Sequence, residues 1–366
     1  MILNMKDSWS WIAVSPVILT AISILAICVV FAGCYTVTQG VTMLGYLNKA
    51  IPLEQVEDKE FVRLVTDIRK FAMEDLGLAE SRNYTKYVEL DRNYLAAVVS
   101  ASSRTSFSRH EWNYPIVGRL PYKGFFNVDG ALKEREKLEK RELDVWVRGV
   151  DAFSTLGWFK DPLYSYMRNY SPSRLANLII HELVHATIFL KGYAGFNEEL
   201  AEFIGNEGSR LYMETRFGMD SAEYRQMLSE KEDSRKYTAF LHNLIAELEE
   251  LYSSGLGAEE TLMRKGQIIN ASKERFANEY ENRFSSDNYR GFSQLQINNA
   301  YLDLFRLYHD EDNFYIDLYN RSGRDLPAFI AAAKTINARS AAKETGAVKA
   351  SGEDLRKQLE NALLPN

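Results

Sequence analysis

The hydrophobic positions of the chain follow different periods in its first and second halves. Apolar side chains from Phe61 to Leu76 recur at helical spacing and stop at Gly77. Leu143 to Val150 alternates apolar and polar residues, as a half-buried strand does. From Ser171 onward helical spacing dominates, and two long charged helices are predicted over Ala222 to Phe284. These patterns predict an α+β fold, in which a small N-terminal sheet region precedes a predominantly helical domain.

Shorter segments complete this picture. Tyr94 to Ser100 fits either a strand or a buried helix, because so short an apolar run has no decisive period. Glycine and proline divide Pro115 to Phe126 into short strands and turns. Ala131 to Lys140 is predicted as a charged helix and Phe153 to Phe159 as a strand. Ile297 to Ala333 is expected to hold two further helices.

The segment from Trp11 to Ala32 is almost wholly apolar, and about 20 such residues span the hydrocarbon core of a bilayer. It leads into Gly33-Cys34, which resembles a bacterial lipobox, where a cysteine after small residues is lipidated and becomes the N-terminus. Phe31 departs from the usual leucine, so the alternative is an uncleaved anchor helix. Either interpretation tethers the chain to a membrane and predicts a bacterial cell-envelope protein that faces the periplasm.

The chain is therefore predicted to have four parts. A signal peptide or membrane anchor covers residues 1–33, and lipidated Cys34 opens a linker over 34–60. A single domain covers 61–338, and a polar tail that frays covers 339–366. The net charge of −6, with acids and bases mixed, argues against nucleic acid as the main partner.

The sharpest chemical pattern is His181-Glu182-Leu183-Val184-His185. Two histidines four residues apart share one helix face, so both imidazoles can bind one zinc ion. Zinc lowers the pKa of a bound water, and Glu182 is predicted to take the proton of that water as general base. The alternative is a pair of buried, hydrogen-bonded histidines on an ordinary core helix.

This pattern is predicted to lie on a helix with clear ends. Ser171 is a good N-cap, and Pro172 suits the first helical position. Gly192 follows Lys191 and is predicted to end the helix.

A third ligand is predicted on the next helix, which begins at Phe196 with Asn197 as its N-cap. Glu198 is assigned to zinc, which gives one ion bound by His181, His185 and Glu198. Glu202, four residues further on the same face, is predicted to accept a hydrogen bond from a ligating histidine. The alternative is that acids in a first turn complement the helix dipole.

This arrangement resembles the gluzincin metallopeptidases, although the 12 residues between His185 and Glu198 are fewer than in thermolysin-like enzymes. The chain is more closely similar to the predicted aminopeptidase family of bacterial lipoproteins. That similarity rests on Gly33-Cys34-Tyr35, Gln39-Gly40, Pro121-Tyr122-Lys123-Gly124-Phe125-Phe126, Ser154-Thr155-Leu156-Gly157-Trp158-Phe159, Asp161-Pro162, and the zinc pattern with Phe196-Asn197-Glu198. It implies a zincin-like domain, zinc metallopeptidase activity of the aminopeptidase kind, and a peptide or protein substrate.

Further roles follow from the resemblance. In gluzincins an edge strand before the zinc helix pairs with the substrate backbone, and Ser154, Thr155, Leu156 and Gly157 take that place here, with an ordinary core strand as the alternative. The candidates for an oxyanion donor are Tyr193, Tyr301, Tyr308, His309 and His110. The candidates for an acid that holds the substrate amine are Glu199, Glu202 and Asp161.

The sequence thus predicts a membrane-tethered zinc metallopeptidase that acts as an aminopeptidase. One alternative is a zinc endopeptidase that acts on envelope proteins. Another is a non-catalytic lipoprotein with a structural zinc that acts as a binding module. The lack of an obvious fourth protein ligand disfavours the last alternative.

Overall fold

The computed structural model describes residues 42, 44–114, 118–150, 161–306, 313–343 and 351–364. Across these ranges short sheets precede a mainly helical region, so the predicted α+β class is confirmed. The strands are β1 (Ile51–Pro52), β2 (Lys86–Val88), β3 (Ala96–Ser103), β4 (Trp112–Tyr114), β5 (Gly118–Leu120), β6 (Tyr122–Phe125), β7 (Leu143–Val150) and β8 (Leu163–Tyr164). The helices are α1 (Lys59–Lys70), α2 (Val128–Glu139), α3 (Pro172–Thr187), α4 (Ala194–Arg216), α5 (Ala222–Ser253), α6 (Ala258–Arg283), α7 (Asn299–Arg306), α8 (Asn313–Arg321), α9 (Leu326–Lys343) and α10 (Gly352–Leu363). The stretch with two predicted helices, Ile297 to Ala333, therefore contains α7, α8 and the start of α9.

One sheet has the order β6–β3–β7, with both neighbours antiparallel to β3. The central strand is buried from Ala96 to Ser102, and Ala131 and Leu138 of α2 pack into the same apolar cluster. Helix α7 also lies against β3 and β7. Because the whole strand is buried, its sequence is a continuous apolar run. This explains why the sequence of Tyr94 to Ser100 did not distinguish a strand from a buried helix. The neighbouring β7 has the bounds that the alternation predicted.

A second sheet, β1–β2–β8, leads into helix α3. Strand β2 is parallel to β8, with Tyr87 opposite Leu163. Shortly before β2, Tyr84 has a backbone φ of +60°, in the left-handed region that side chains rarely adopt. Its N–H donates a 2.7 Å hydrogen bond to the carbonyl oxygen of Asp161, which lies shortly before β8. The two segments that enter these paired strands are therefore bonded to each other.

Helices α5 and α6 form the predicted charged hairpin, and they enclose an apolar core of their own. A buried polar network joins the hairpin to the first sheet. Lys265, 7% exposed, donates to the carboxylate of Asp144 on β7 and to the carbonyl oxygen of Arg104. The backbone N–H of Asn299 donates to the same carboxylate over 2.9 Å. Because each charge is paired, the network fixes the hairpin against the sheet without an uncompensated buried ion.

Helices α3 and α4 lie together in the largest apolar core. Gly205 on α4 permits their close approach, because a Cβ at this position would lie 3.2 Å from the Cβ of His181. The side-chain amide of Asn177 on α3 donates to that of Asn206 on α4 over 2.9 Å. The relative position of the two helices is thus set by close backbone contact together with a polar bond.

The C-terminal region differs from the prediction. The sequence predicts that the chain frays after Arg339, and this is wrong for helix α10. Leu355 and Leu359, one turn apart, are fully buried in the core that also holds α3 and α4. Ser351 and Asp354 form a capping box at the start of the helix. An otherwise polar segment is therefore held by two leucines and a well-capped first turn.

Several predictions fall outside the described residues. These are the apolar segment Trp11 to Ala32, the lipidation residue Cys34, and the substrate strand Ser154, Thr155, Leu156 and Gly157. In the part of the chain that the structure describes, no helix combines the length and the apolar character needed to cross a bilayer.

Candidate metal centre

Helix α3 begins as the sequence predicts. The side-chain oxygen of Ser171 accepts a hydrogen bond of 3.3 Å from the backbone N–H of Arg174, and Pro172 occupies the first turn. The helix ends at Thr187, five residues before the predicted stop at Gly192. The Thr187 hydroxyl bonds back to the carbonyl of Leu183 and also accepts the backbone N–H of Ala79, so a tertiary contact ends the helix early.

The two histidines of α3 face each other one helical turn apart. The Nε2 atoms of His181 and His185 are 3.2 Å apart. The His185 side chain is only 6% exposed, whereas that of His181 is 25% exposed. Each imidazole therefore directs a ring nitrogen to one shared point at the edge of the core.

Glu198 on helix α4 completes the cluster. Its carboxylate oxygens lie 3.6 Å from Nε2 of His181 and 3.5 Å from Nε2 of His185. Glu198 is more exposed than the histidines, so the cluster has a buried side and a solvent side. The structure thus brings together the three residues that were predicted as zinc ligands.

The turn between α3 and α4 is fixed by Asn197, which does not act as the predicted N-cap. Helix α4 begins earlier, at Ala194, and Asn197 lies within its first turn. The buried amide of Asn197 accepts the N–H of Leu190 and donates to the carbonyl of the same residue, both over 2.9 Å. This paired bond fixes the backbone immediately before Glu198.

The spacing of the three side chains could hold a metal ion in tetrahedral geometry. At zinc–ligand distances of about 2.0–2.1 Å, the edges of a tetrahedron are about 3.3–3.4 Å long. The two Nε2 atoms are 3.2 Å apart, and the carboxylate contacts are 3.6 Å from His181 to Oε2 and 3.5 Å from His185 to Oε1, each close to that value. Two nitrogens and one carboxylate oxygen are also a common donor set of catalytic zinc sites. In the described part of the chain no further histidine, cysteine or acid joins the cluster.

The charges of the cluster depend on one another. The imidazoles of His181 and His185, as hydrogen-bond donors, lower the pKa of the Glu198 carboxyl to about 2. Burial by itself lowers the pKa of His185. Hydrogen bonding to Glu198 and the negative charges of Glu198 and Glu182 raise it by more, so the pKa of His185 lies above its usual value. Glu198 is therefore an anion at neutral pH, as a metal ligand must be.

Glu182 is buried next to the histidines and is 9% exposed. Burial raises the pKa of its carboxyl group above the usual range. The nearby imidazoles lower this pKa, but by less than burial raises it. A carboxylate with a raised pKa is better matched to proton transfer near neutral pH. Glu182 also lines a small cavity, whose other walls come from Tyr84, Leu95, Asp161, Pro162, Tyr164 and Met167.

Tyr84, which the sequence did not single out, lies beside Glu182. Its side chain is 2% exposed and lines the cavity beside Glu182. Burial raises the pKa of Tyr84 well above its usual range, and the charges of Glu182 and Asp161 raise it further. The sequence gives no sign of its left-handed backbone conformation, because a tyrosine rarely adopts it.

The remaining candidates have different surroundings. Tyr301 lies in the separate core of the hairpin, where its hydroxyl bonds that of Tyr237. Tyr193 is half-buried at the start of α4, and His110 contacts Trp112 edge to face. Tyr308 and His309 lie outside the described residues.

The acids of α4 also differ from one another. Glu199 accepts hydrogen bonds from Arg356 of α10, over 2.9 Å, and from Tyr315 of α8, over 3.4 Å. Glu202 is exposed, and its hydrogen bond to a ligating histidine stays a prediction. The Nδ1 atom of His185 is buried and makes no hydrogen bond within the described residues.

A family model described as "Putative aminopeptidase" matches residues 45–348. Comparisons with curated proteins and with solved structures gave no match. The family model includes the whole cluster of His181, His185 and Glu198 together with Glu182, and it spans most of the chain. The chain belongs to this aminopeptidase family.

Proposed function

We propose that the protein is a zinc-dependent metallopeptidase of the aminopeptidase kind, tethered to the membrane of a bacterial cell envelope. The observation that carries this proposal is the convergence of the Nε2 atoms of His181 and His185 with the carboxylate of Glu198. His181, His185 and Glu198 would hold the zinc ion, which would supply Lewis acidity for a water molecule and a peptide carbonyl.

Glu182 is the residue that moves the proton. Its buried carboxylate takes a proton from the attacking water as general base and gives it to the leaving amine as general acid. Burial favours the second step, because a carboxyl group with a raised pKa is protonated more readily. Glu182 thus performs both proton transfers, and no separate acid is required among the neighbouring residues.

A Glu182→Gln variant tests this function. Glutamine keeps the size of the side chain but cannot take a proton, so hydrolysis of a free-amine peptide should fall by about 100- to 10,000-fold. Zinc content, measured by mass spectrometry, should stay at one ion per chain. Glu223→Gln, which changes an exposed acid at the start of α5, is the matched control and should keep full activity. If the Glu182→Gln variant retains both zinc and full activity, catalysis by this site is ruled out.

The same assay separates the alternatives. An aminopeptidase loses activity on a peptide whose N-terminus is acetylated, whereas an endopeptidase of envelope proteins keeps it. If the Glu182→Gln variant retains zinc and complements a deletion strain completely, a binding module with a structural zinc is the better assignment.

The membrane tether is proposed from the sequence of the N-terminal segment. Lipid attached at Cys34 would hold the domain at the envelope, facing the periplasm. Mass spectrometry of the mature protein should show an acylated N-terminal cysteine, and a Cys34→Ala variant should lack it. An unprocessed N-terminus in both proteins would favour an anchor helix.

A further inference from the structure

The two histidines of the candidate metal centre are held in different ways. The side chain of His185 is only 6% exposed and is enclosed by the interior, whereas that of His181 is 25% exposed. Within the described residues, the hydrogen bonds and ion pairs of the His181 imidazole all go to His185 and Glu198, the other members of the cluster. Before a metal binds, the position of His181 therefore depends on what contacts its backbone and its Cβ atom.

Gly205 of α4 lies against the base of the His181 side chain. A Cβ atom at position 205 would be 3.2 Å from the Cβ of His181 and 3.3 Å from the carbonyl oxygen of Asn177, one helical turn earlier on α3. Neither neighbour is the end of a flexible side chain, so neither can simply turn away. A methyl group at this position would therefore displace the part of α3 that carries His181 by a few tenths of an ångström.

A hydrogen bond between the two helices lies beside this contact. Nδ2 of Asn177 donates to Oδ1 of Asn206, the residue after Gly205, over 2.9 Å. A close contact limits how near two helices can come, but it leaves them free to separate or to rotate. A directional hydrogen bond next to the contact restricts both movements. We call Asn177, Gly205 and Asn206 together the helix junction.

The helix junction lies on the opposite side of the ligands from the turn between the helices. At the turn, Asn197 bonds the backbone of Leu190 immediately before Glu198. The junction joins α3 one turn before His181 to α4 two turns after Glu198. The three ligands are therefore bracketed by two connections, and a helix pair held at both places cannot slide or splay between them.

We propose that Gly205, Asn177 and Asn206 are positioning residues, which hold His181 at the distance from Glu198 that a tetrahedral metal ion requires. A metal site must keep its ligands within about 0.5 Å of the productive geometry, and one methyl group at position 205 would use much of that tolerance. This inference rests on the metal centre of the proposed function and assigns the residues outside the cluster that set its geometry.

The first test compares Gly205→Ala with Gly208→Ala. Gly208 lies one turn further along α4, where a Cβ atom would meet the side-chain ends of Leu76 and Ile180 at 3.0 to 3.2 Å. Both variants add one methyl group between the same helices, but only the first contacts a ligand residue. In chelator competition, zinc affinity should fall by about 10- to 100-fold in Gly205→Ala and by less than about threefold in Gly208→Ala. Equal losses in the two variants would overturn the assignment.

The second test examines the hydrogen bond of the junction. Asn206→Leu removes the acceptor and should lower zinc affinity by about 2- to 10-fold. Asn206→Asp keeps a carboxylate oxygen for the amide of Asn177 and should bind zinc within about twofold of the wild type. Wild-type affinity in Asn206→Leu, or an equal loss in both variants, would show that this bond does not position His181.

A measurement on the metal-free protein separates this inference from the proposed function. The imidazole nitrogen NMR signals of His181 should shift in Gly205→Ala and stay in place in Gly208→Ala. Those of His242, in the hairpin, should stay in place in both variants. If the wild type binds no zinc, the proposed function fails, and the NMR comparison alone supports or overturns the role of Gly205. If the wild type binds zinc but hydrolyses no peptide, the zinc affinities still decide the inference.

Discussion

The helix pair α3–α4 and the hairpin α5–α6 are both packed around buried apolar cores, but their buried polar groups differ. In the hairpin, Asp233 has no exposed surface, and its carboxylate accepts hydrogen bonds from Ser285 and Ser286. In the helix pair, Nδ1 of His185 is buried without a partner among the described residues. The hairpin therefore satisfies the charge of Asp233 internally, whereas in the helix pair the Nε2 atoms of His181 and His185 meet the carboxylate of Glu198 at a point that a metal ion could occupy.

This comparison predicts that the two regions respond to different measurements. Substitutions in the hairpin should lower the free energy of unfolding and leave zinc affinity unchanged. Substitutions in the helix pair should lower zinc affinity and leave the stability of the metal-free protein nearly unchanged. The four variants below test this separation.

The largest effect is expected for His185→Ala. Loss of one of three ligands should lower zinc affinity by more than the 10- to 100-fold seen when an outer-shell partner is removed. The metal-free protein should lose no more than about 1 kcal/mol of stability, because a buried unsatisfied nitrogen is removed as well. Competition with a chelator measures the affinity. His242→Ala, in the hairpin, is the matched control and should bind zinc normally.

Phe276→Ala should give the largest loss of stability in the hairpin. Phe276 is 2% exposed and contacts the rings of Tyr237, Phe240, Tyr280, Phe284 and Phe292. Removing a buried phenylalanine costs about 3–5 kcal/mol, which denaturant unfolding would measure. Met263→Ala, an exposed residue of the same helix, should change stability little. A parallel loss of zinc affinity would show that the two regions are coupled.

Asp233→Asn should give a loss of stability that depends on pH. Burial raises the pKa of Asp233, but hydrogen bonds from Ser285 and Ser286 outweigh burial and leave it below the usual range. The charged form therefore stabilises the fold above the unfolded pKa of about 3.9, by about 1.5–3 kcal/mol. This contribution should disappear as pH falls from about 4 toward the folded pKa. Equal unfolding midpoints of wild type and variant at pH 7 would contradict it.

The smallest effect is expected for Arg356→Gln. This arginine of α10 bonds Glu199, the neighbour of the proposed zinc ligand Glu198, so its loss should loosen the second turn of α4. Partly exposed ion pairs contribute about 0.2–1 kcal/mol, so zinc affinity should fall by no more than about fivefold. The control is Arg321→Gln on α8, which removes a different bond to α10, the one to Glu360. If both variants bind zinc equally well, α10 does not support the site.

The sequence predicted those features that depend on local chemistry. The alternation from Leu143 to Val150 gave the exact bounds of β7. Ser171 and the zinc pattern predicted the start and the face of α3. Glu198, predicted at the very start of the next helix, lies in the second turn of α4 and close to both histidines. Each of these features depends on residues that are close together in the sequence, so the local pattern alone is enough to predict it.

Tertiary contacts explain what the sequence did not predict. The early end of α3 depends on Thr187, whose hydroxyl accepts the N–H of Ala79, a residue far away in the chain. The strained turn at Tyr84 depends on a hydrogen bond to Asp161. Helix α10 did have a local pattern, in the capping box and in two leucines at a spacing of four, but its polar composition concealed it.

The paired hydrogen bonds between Asn197 and Leu190 have a consequence for metal exchange. They close the loop before Glu198 with protein atoms only, so the ligands are already ordered before an ion arrives. Structural zinc domains, in contrast, couple metal uptake to folding and unfold when chelated. We therefore expect a chelator to yield an inactive but folded apoprotein, which regains its metal by simple second-order uptake rather than by refolding.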